Sequence, residues 1–138
     1  MSVFIKSVII AFTCTIISAC TLTSNVSQCD SGMTERVQES LYFGTGMKKG
    51  FVTKKQWQTF LDNYVTPQFP NGFTVVEASG QWKGNNGVLV REPSFVLTVV
   101  HNNEQRHATA IKVIIDEYKT QFQQEAVLRI KMDSCVSF

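Results

Sequence analysis

The sequence carries little charge of either sign, no recognisable catalytic signature and no long apolar run. Only 17% of its residues are charged and the formal net charge is +2, without a long basic stripe, so no nucleic-acid partner is predicted. The chain contains no G-x-G-x-x-G and no C-x-x-C, and its two histidines, His101 and His107, lack zinc-ligand spacing. We therefore predict no cofactor, no metal site and one small globular domain.

The N-terminus has the features of an export signal. Lys6 is followed by an apolar run from Val8 to Ile17, which is too short to span a bilayer and fits the core of a signal peptide. The run ends in a match to the bacterial lipobox, Ile17-Ser18-Ala19-Cys20. We therefore predict that residues 1–19 are a cleaved lipoprotein signal peptide and that Cys20 carries lipid. The alternative is a secreted protein cleaved nearby, with Cys20 free for a disulfide.

Lipid on Cys20 would hold the protein at a bacterial membrane, because several acyl chains anchor stably where one chain is marginal. Thr21 stands where inner-membrane lipoproteins often carry Asp. Resemblance to Gram-negative lipoproteins therefore favours the outer membrane, with the domain facing the periplasm. Residues 20–36 are rich in small polar side chains and lack apolar periodicity, which predicts a flexible tether. The folded domain is then expected to span residues 37–138.

The four cysteines divide between these segments. Cys14 leaves with the predicted signal peptide and Cys20 takes the lipid, so Cys29 and Cys135 remain. Export implies an oxidising compartment, in which two remaining thiols can pair. We predict a disulfide between Cys29 and Cys135, and the alternative is a pair of free buried thiols.

Hydrophobic periodicity and turn signals predict six elements in the order strand, helix, strand, strand, helix, strand. The predicted ranges are 39–44, 53–66, 73–82, 88–101, 104–122 and 126–132. This order is that of the ferredoxin-like split β-α-β fold, an α+β class with a four-stranded antiparallel sheet and two helices on one face. Its usual strand order, four-one-three-two, brings the two ends of the domain together, where Cys29 and Cys135 lie.

Local signals define the two helices. Thr53 and Gln56 form a capping box, and Pro67 ends the first helix. Asn103 is the predicted cap of the second helix, and Leu128, Ile130 and Met132 are expected on one face of the last strand. The predicted buried stripe of the second helix consists of Ala108, Ile111, Ile115, Tyr118 and Phe122.

The central hairpin carries the candidate site. A tight turn centred on Asn85-Asn86 would place Ser79 opposite Glu92 and Gly80 opposite Arg91. Pro93 predicts a bulge or an unpaired edge beside them. The residues expected to cluster there as a ligand site are Gln81, Trp82, Arg91, Glu92 and Ser94.

Arg91 and Glu92 together could bind a carboxylate-bearing ligand or act as a general acid/base pair. The alternative is that they form structural ion pairs that hold the hairpin. His101, at the end of the third strand, is a weaker catalytic candidate, because a histidine there is usually a surface or hydrogen-bonded residue.

The segment from Phe95 to Val100 is apolar on both alternating faces. A sheet with helices on one side needs only one apolar face, so the other face is expected to be covered. A second protomer (a homodimer), a tail or loop of the same chain, and a ligand are the three possible covers.

Several short motifs occur together in a recognisable order. They are Leu41-Tyr42-Phe43-Gly44, Phe69-Pro70 with Gly72-Phe73-Thr74-Val75, Gly80-Gln81-Trp82, Arg91-Glu92-Pro93-Ser94 and Cys135-Val136-Ser137-Phe138. In this the chain resembles a family of exported bacterial proteins known only as a domain of unknown function, over residues 39–138. The resemblance implies an envelope protein and carries no activity. We expect a partner- or ligand-binding lipoprotein, with a small-molecule enzyme using Arg91 and Glu92 as the alternative.

Overall fold

In the computed structural model, which describes residues 29–138, four strands pair in one antiparallel sheet in the order β2-β3-β1-β4. The elements are β1 (Thr34–Gly44), α1 (Lys54–Phe60) continued by a π-helical turn (Leu61–Val65), β2 (Thr74–Lys83), β3 (Leu89–His101), α2 (Gln105–Phe122) and β4 (Leu128–Val136). The predicted α+β ferredoxin-like class and its strand order are confirmed. Within these residues no helix is long and apolar enough to cross a membrane.

The two ends of the domain meet at a disulfide. Cys29 and Cys135 are bonded, with their Cα atoms 5.5 Å apart, so the predicted pairing is present. β1 begins at Thr34, and residues 34–36, which were assigned to the tether, belong to the sheet instead. The predicted signal peptide and the lipidated Cys20 lie outside the described residues.

The first helix begins as its local sequence predicts. The Thr53 hydroxyl accepts from the Gln56 backbone N–H at 3.2 Å, and the Gln56 side chain accepts from the Thr53 N–H at 2.9 Å. Trp57 and Phe60 then turn into the core, where the Trp57 ring stacks on Phe95 with ring centroids 4.5 Å apart. Trp57 and Phe60 are therefore part of the hydrophobic core.

The second helix differs from its prediction in its cap and in its buried stripe. Its N-cap is Glu104, without a side-chain cap, while Asn103 accepts from the Lys131 ammonium group at 3.1 Å. Ala108 and Ile115 are only half-buried. Ile111, Tyr118 and Phe122 are buried as predicted, and Ala110 and Ile114 are buried in place of the other two. Its buried residues are Ala110, Ile111, Ile114, Tyr118 and Phe122.

The two faces of the sheet alternate as the strand period requires. Phe95, Leu97 and Val99 are buried under the helices, whereas Val96, Thr98 and Val100 point to the open face. The apolar set of β4 also lies on the open face, where Leu128, Ile130 and Met132 are 39 to 58% exposed. The prediction that the open face is unusually apolar is confirmed.

The hairpin register differs by one residue from the prediction. Gly80 pairs with Glu92, and Gln81 pairs with Arg91. The turn is one residue longer than assumed, because the Gly84 N–H closes it on the Val88 carbonyl and Gly87, at φ 79°, supplies the left-handed residue.

Pro93 causes no bulge in the ladder between β2 and β3. It pairs with Ser79, and its carbonyl accepts from the Thr45 N–H at 3.2 Å on the β1 side. A strand residue points its nitrogen and its carbonyl to the same neighbour. The position of the missing Pro93 N–H therefore faces β1, one residue beyond the last pair between β1 and β3, Gly44 with Ser94. Of the two predicted alternatives, a bulge or an unpaired edge, the structure has the unpaired edge.

Candidate functional site

A buried carboxylate lies at the point where β1 ends beside β3. Glu92 is only 7% exposed, although it is on the open face of the sheet. The last pair between the two strands is Gly44 with Ser94, so Glu92 extends beyond it. There its side chain meets the backbone that leaves β1 toward Gly46. Burial of a carboxylate at this position requires specific partners.

Two N–H groups bind the carboxylate. The indole Nε1 of Trp82 donates to Glu92 Oε1 at 3.0 Å, and the Gly46 backbone N–H donates to Oε2. Both groups are donors only, so Glu92 serves as an acceptor at both oxygens, as an ionised carboxylate does. Each oxygen of the carboxylate is thus held in a fixed orientation.

Two glycines make room for this carboxylate. A Cβ at Gly44 would overlap the Glu92 carboxylate, and a Cβ at Gly46 would lie 2.7 Å from Glu92 Oε2. Real Cβ atoms do not approach oxygen that closely, so any larger residue at either position would displace Glu92. The spacing Gly44-Thr45-Gly46 is therefore a requirement of the buried carboxylate.

The loop that carries Gly46 is held from several sides. The Tyr118 hydroxyl donates to the Gly44 carbonyl at 2.8 Å, and the Gln124 side chain donates to the Gly46 carbonyl at 2.5 Å. The Thr45 hydroxyl donates to the Pro93 carbonyl at 2.6 Å. These bonds aim the Gly46 N–H at Glu92 before any ligand arrives.

Tyr118 is itself affected by this environment. Burial raises the pKa of its phenol, and the negative charge of Glu92 raises it further. The hydroxyl therefore stays protonated through the physiological range and remains a donor to Gly44.

A cavity of about 300 Å³ lies over this end of the open face. Its walls are mainly apolar or aromatic, and among residues 29–138 the Glu92 carboxylate is the only charged group that lines it. The lining residues are Tyr42, Gly44, Ala78, Ser79, Gly80, Gln81, Trp82, Glu92, Ser94, Gln124, Ala126 and Leu128. This combination of an apolar wall and a few polar groups is typical of a small-molecule site.

The structure brings together most of the residues that the sequence proposed for a ligand site. Gln81, Trp82, Glu92 and Ser94 all line the cavity. Arg91 does not, because it and its pair partner Gln81 lie on the face opposite to Glu92, although Gln81 still borders the cavity. Its guanidinium donates to Gln81 at 2.7 Å in an exposed hydrogen bond. Arg91 and Glu92 are thus not brought together as an acid/base pair or as an ion pair.

His101 belongs to a different cluster, at the other end of β3 and on the helix side of the sheet. Its Nε2 lies 3.3 Å from Oε1 of Glu39, which is fully buried. Arg129 binds both Glu39 oxygens, one at 2.8 Å, and this hydrogen bonding raises the pKa of the Arg129 guanidinium. His101 is therefore a hydrogen-bonding neighbour of the buried Glu39–Arg129 ion pair.

Sequence reasoning missed several parts of the cavity. Gly44 and Gly46 were interpreted as the end of a strand, and only their spacing before a loop could have suggested a close approach. Gln124 and Leu128 carry no local signal, since they reach the site through the pairing of β4 with β1 and the end of α2. Glu39 was placed in a strand but not recognised as a buried charge.

A wider depression of about 880 Å³ lies near His101, with Arg36, Arg106 and His107 among its lining residues. These side chains already have partners: Arg106 pairs with Glu104 at 2.8 Å, the Arg36 guanidinium donates to the Glu35 carbonyl at 2.8 Å, and the His107 ring hydrogen-bonds the Asn102 carbonyl. Over residues 29–138 no three His, Cys, Asp or Glu side chains are grouped so that they could hold a metal. The depression is thus a weaker candidate than the Glu92 cavity.

An apolar band crosses the open face beside the cavity. Register pairs align Leu128 with Tyr42, Tyr42 with Val96, and Val96 with Val76. Leu128 and Val76 are more than half exposed, and Tyr42 is 38% exposed. Tyr42 and Leu128 also line the cavity, so the band and the cavity are continuous.

The fold is shared with solved structures of low sequence identity. A phage SAM lyase in complex with S-methyl-5'-thioadenosine superposes with a TM-score of 0.60 at 13% identity, covering 83% of this chain and 97% of that one. The same lyase in its apo state gives 0.56 at 14% identity, with 80% and 94% covered. CutA from Synechococcus elongatus gives 0.51 at 10% identity, with 78% and 87% covered. At these identities the likeness establishes the fold alone.

No protein with a curated description matches the sequence significantly. Residues 38–138, by contrast, match the DUF3574 family, described as a protein of unknown function. The match covers all four strands except the first residues of β1, and it includes the motifs that meet at the Glu92 cavity. The chain belongs to the DUF3574 family.

Proposed function

We propose that this protein is a small ligand-binding domain of the bacterial cell envelope that takes its ligand into the Glu92 cavity. The observation that carries the proposal is the carboxylate of Glu92, buried at the cavity wall and held at both oxygens by Trp82 and Gly46. A buried charge of this kind has a cost in stability, and its retention at a cavity is a feature of functional sites.

The geometry favours binding over catalysis. Glu92 is the only charged group at the cavity, and Ser94 makes no side-chain hydrogen bond within residues 29–138 to a base that could activate it. A fixed carboxylate in an apolar recess needs no further group to orient a ligand. These features support a binding site, since no Asp, His, Lys or Arg among residues 29–138 lines the cavity with Glu92.

Binding can be followed at the two indole N–H signals of the ¹⁵N-labelled protein. A ligand in the cavity should shift the Trp82 signal and leave the Trp57 signal in place, because the Trp57 Nε1 is buried in the core without a hydrogen-bond partner. A chemically diverse fragment set is the probe. Ala78→Leu, which narrows the cavity, should abolish the shifts, and Thr109→Leu on the exposed side of α2 is the matched control. If no fragment moves the Trp82 signal, the ligand-binding proposal is wrong.

The proposed location is the periplasmic side of the outer membrane, with the domain anchored through lipid on Cys20. The lipobox supports the anchor, and the disulfide between Cys29 and Cys135 supports an oxidising compartment. Cys20→Ala should abolish incorporation of labelled palmitate and release the protein from the membrane fraction. Continued incorporation in that variant would contradict the proposal.

We also propose a second copy of the chain as the cover of the open face. The strands of the sheet lie about 4.8 Å apart and rise about 3.3 Å per residue, so the four strands form a flat area of roughly 700 Å². This area, to which protruding side chains add, is near the ~800 Å² per partner of a stable interface. The apolar band from Leu128 to Val76 crosses all four strands of this face. A homodimer would bury the band and close the cavity mouth.

A small-molecule enzyme is the second candidate function. The observation that favours it is the shared fold with a lyase whose title names S-methyl-5'-thioadenosine as its bound ligand, together with a carboxylate in a cavity of this chain. Incubation with S-adenosylmethionine should then form S-methyl-5'-thioadenosine, and Glu92→Gln should stop its formation. An unchanged mixture would leave the binding function as the sole proposal for the cavity.

A further inference from the structure

The charge of Glu92 is not balanced by any group of the domain. No ion pair among residues 29–138 includes Glu92. The other buried glutamate, Glu39, shows the contrast, because the Arg129 guanidinium binds its carboxylate. Burying an ionised carboxylate is costly unless it is paired, so a missing positive charge at Glu92 distinguishes the two sites.

The carboxylate also keeps free acceptor capacity. An ionised carboxylate has about four lone-pair directions, and Trp82 and Gly46 use one on each oxygen. Glu92 lines the cavity, so the remaining lone pairs of its carboxylate are available to a ligand that donates a hydrogen bond. A ligand anion would instead be repelled by this carboxylate, since no Lys, Arg or His lines the cavity.

The side chains that line the cavity favour an organic cation with an apolar part. The Trp82 and Tyr42 rings both line the cavity, and aromatic faces attract a cation within about 6 Å of the ring centre. Ala78, Ala126 and Leu128 complete an apolar wall that would desolvate the body of a ligand. A bare metal ion fits less well, because among residues 29–138 the cavity is lined by a single carboxylate and by no His or Cys.

We propose that the ligand of the Glu92 cavity is a small organic cation, with its positive group on the Glu92 carboxylate and its apolar body against Trp82, Tyr42 and Leu128. This inference rests on the proposed ligand-binding function and adds the chemical class of the ligand. The bound cation supplies the charge that the folded domain lacks at this position.

Three probes with one phenyl body separate charge from shape. Benzylamine carries a positive group with N–H donors, benzyltrimethylammonium carries the charge without donors, and benzyl alcohol carries a donor without charge. Each is titrated against the purified protein with its disulfide intact, and the shift of the Trp82 indole signal gives the affinity. The Trp57 signal is the internal control.

We expect benzylamine to bind at least tenfold more tightly than benzyl alcohol, and benzyltrimethylammonium to bind more tightly than the alcohol as well. In Glu92→Gln the preference of the cations over the alcohol should fall to within about twofold. The comparison within the unmodified protein does not depend on that variant folding.

Equal affinity for benzylamine and benzyl alcohol would overturn the cation assignment and leave the ligand-binding function standing. Tighter binding of phenylacetate, a matched anion, would overturn the assignment too. If neither these probes nor the fragment set shift the Trp82 signal, the binding function itself fails, so the two failures are distinguishable.

Discussion

Trp82 and Glu92 are diagonal neighbours on the open face of one hairpin, and the indole N–H of Trp82 donates to Glu92 Oε1 at 3.0 Å. This relationship depends on the register in which Gly80 faces Glu92. In the register predicted from the sequence, Ser79 would face Glu92, and Trp82 would share a face with Arg91 instead. A one-residue slip moves a whole set of side chains to the other face, so the turn at Gly84–Val88 determines the composition of the site.

Replacement of Trp82 by Phe keeps a ring and removes the donor to Glu92. Because a hydrogen bond to a charged group contributes about 1.5–3 kcal/mol, we expect the free energy of unfolding to fall by about 1–3 kcal/mol. Denaturant unfolding of Trp82→Phe, Glu92→Gln and the double variant measures the pair as a thermodynamic cycle. Additive effects of the two substitutions would mean that the hydrogen bond contributes nothing to stability.

Gly44→Ala tests whether the glycine is required by the buried carboxylate. The new methyl group would overlap the Glu92 carboxylate, so we expect a loss of about 1–3 kcal/mol in unfolding free energy, the scale of an overpacked site. Gly80→Ala is the matched control on the same face, since its Cβ would meet Ser94 Oγ at an ordinary 3.5 Å. Equal losses for the two variants would contradict this explanation.

Tyr118 predicts how stability changes at alkaline pH. The pKa of its phenol is raised in the folded protein above the ~10 of an unfolded chain. The resulting stabilisation is present below pH 10 and is lost as the pH rises toward the folded pKa, because the unfolded state releases its proton first. The free energy of unfolding should therefore fall above pH 10, by up to about 1.4 kcal/mol per pH unit from this group.

Tyr118→Phe should remove this part of the slope, although it lowers stability at neutral pH through loss of the hydrogen bond to Gly44. Denaturant unfolding from pH 8 to pH 11.5 compares the two proteins. Tyr64→Phe, which removes a half-buried phenol from the edge of the same core, controls for replacement of a tyrosine. Parallel pH profiles for the Tyr118→Phe protein and the unmodified protein would refute the assignment.

The sequence was sufficient for those features that depend on short-range signals. The capping box at Thr53, the apolar alternation from Phe95 to Val100 and the order of the elements all follow from local periodicity and turn chemistry. The N-cap of α2 and two of its buried residues were predicted one or two residues away from their positions in the structure. Tertiary packing determines which of these neighbouring positions is used. Local propensity cannot resolve that choice.

The candidate site was predictable only in part, for a related reason. Trp82, Glu92 and Ser94 could be grouped because they share one hairpin, whose two arms are neighbours in sequence. Gly46 and Gln124 come from other elements, and their role depends on the end of β1 meeting the end of α2. No local sequence pattern predicts that the ends of β1 and α2 are in contact.

The disulfide should contribute a large part of the stability of the domain. Cys29 and Cys135 are 106 residues apart, so their bond constrains nearly the whole domain in the unfolded state. The double variant Cys29→Ser/Cys135→Ser is expected to lose about 3–5 kcal/mol of unfolding free energy. Reduction of the unmodified protein should give the same loss. Alkylation of both thiols in the exported protein without prior reduction would show that the bond does not form.

The apolar band predicts the association of two copies through their open faces. Leu128→Lys places a charge at the β4 end of the apolar band, where Leu128 is 58% exposed in the isolated domain. If a second copy covers the band, this variant should be monomeric at concentrations at which the unmodified protein sediments as a dimer. Val113→Lys is the matched control, because Val113 is 41% exposed on α2, on the other side of the sheet. The proposal is wrong if the unmodified protein is monomeric, or if Leu128→Lys and Val113→Lys dissociate the dimer equally.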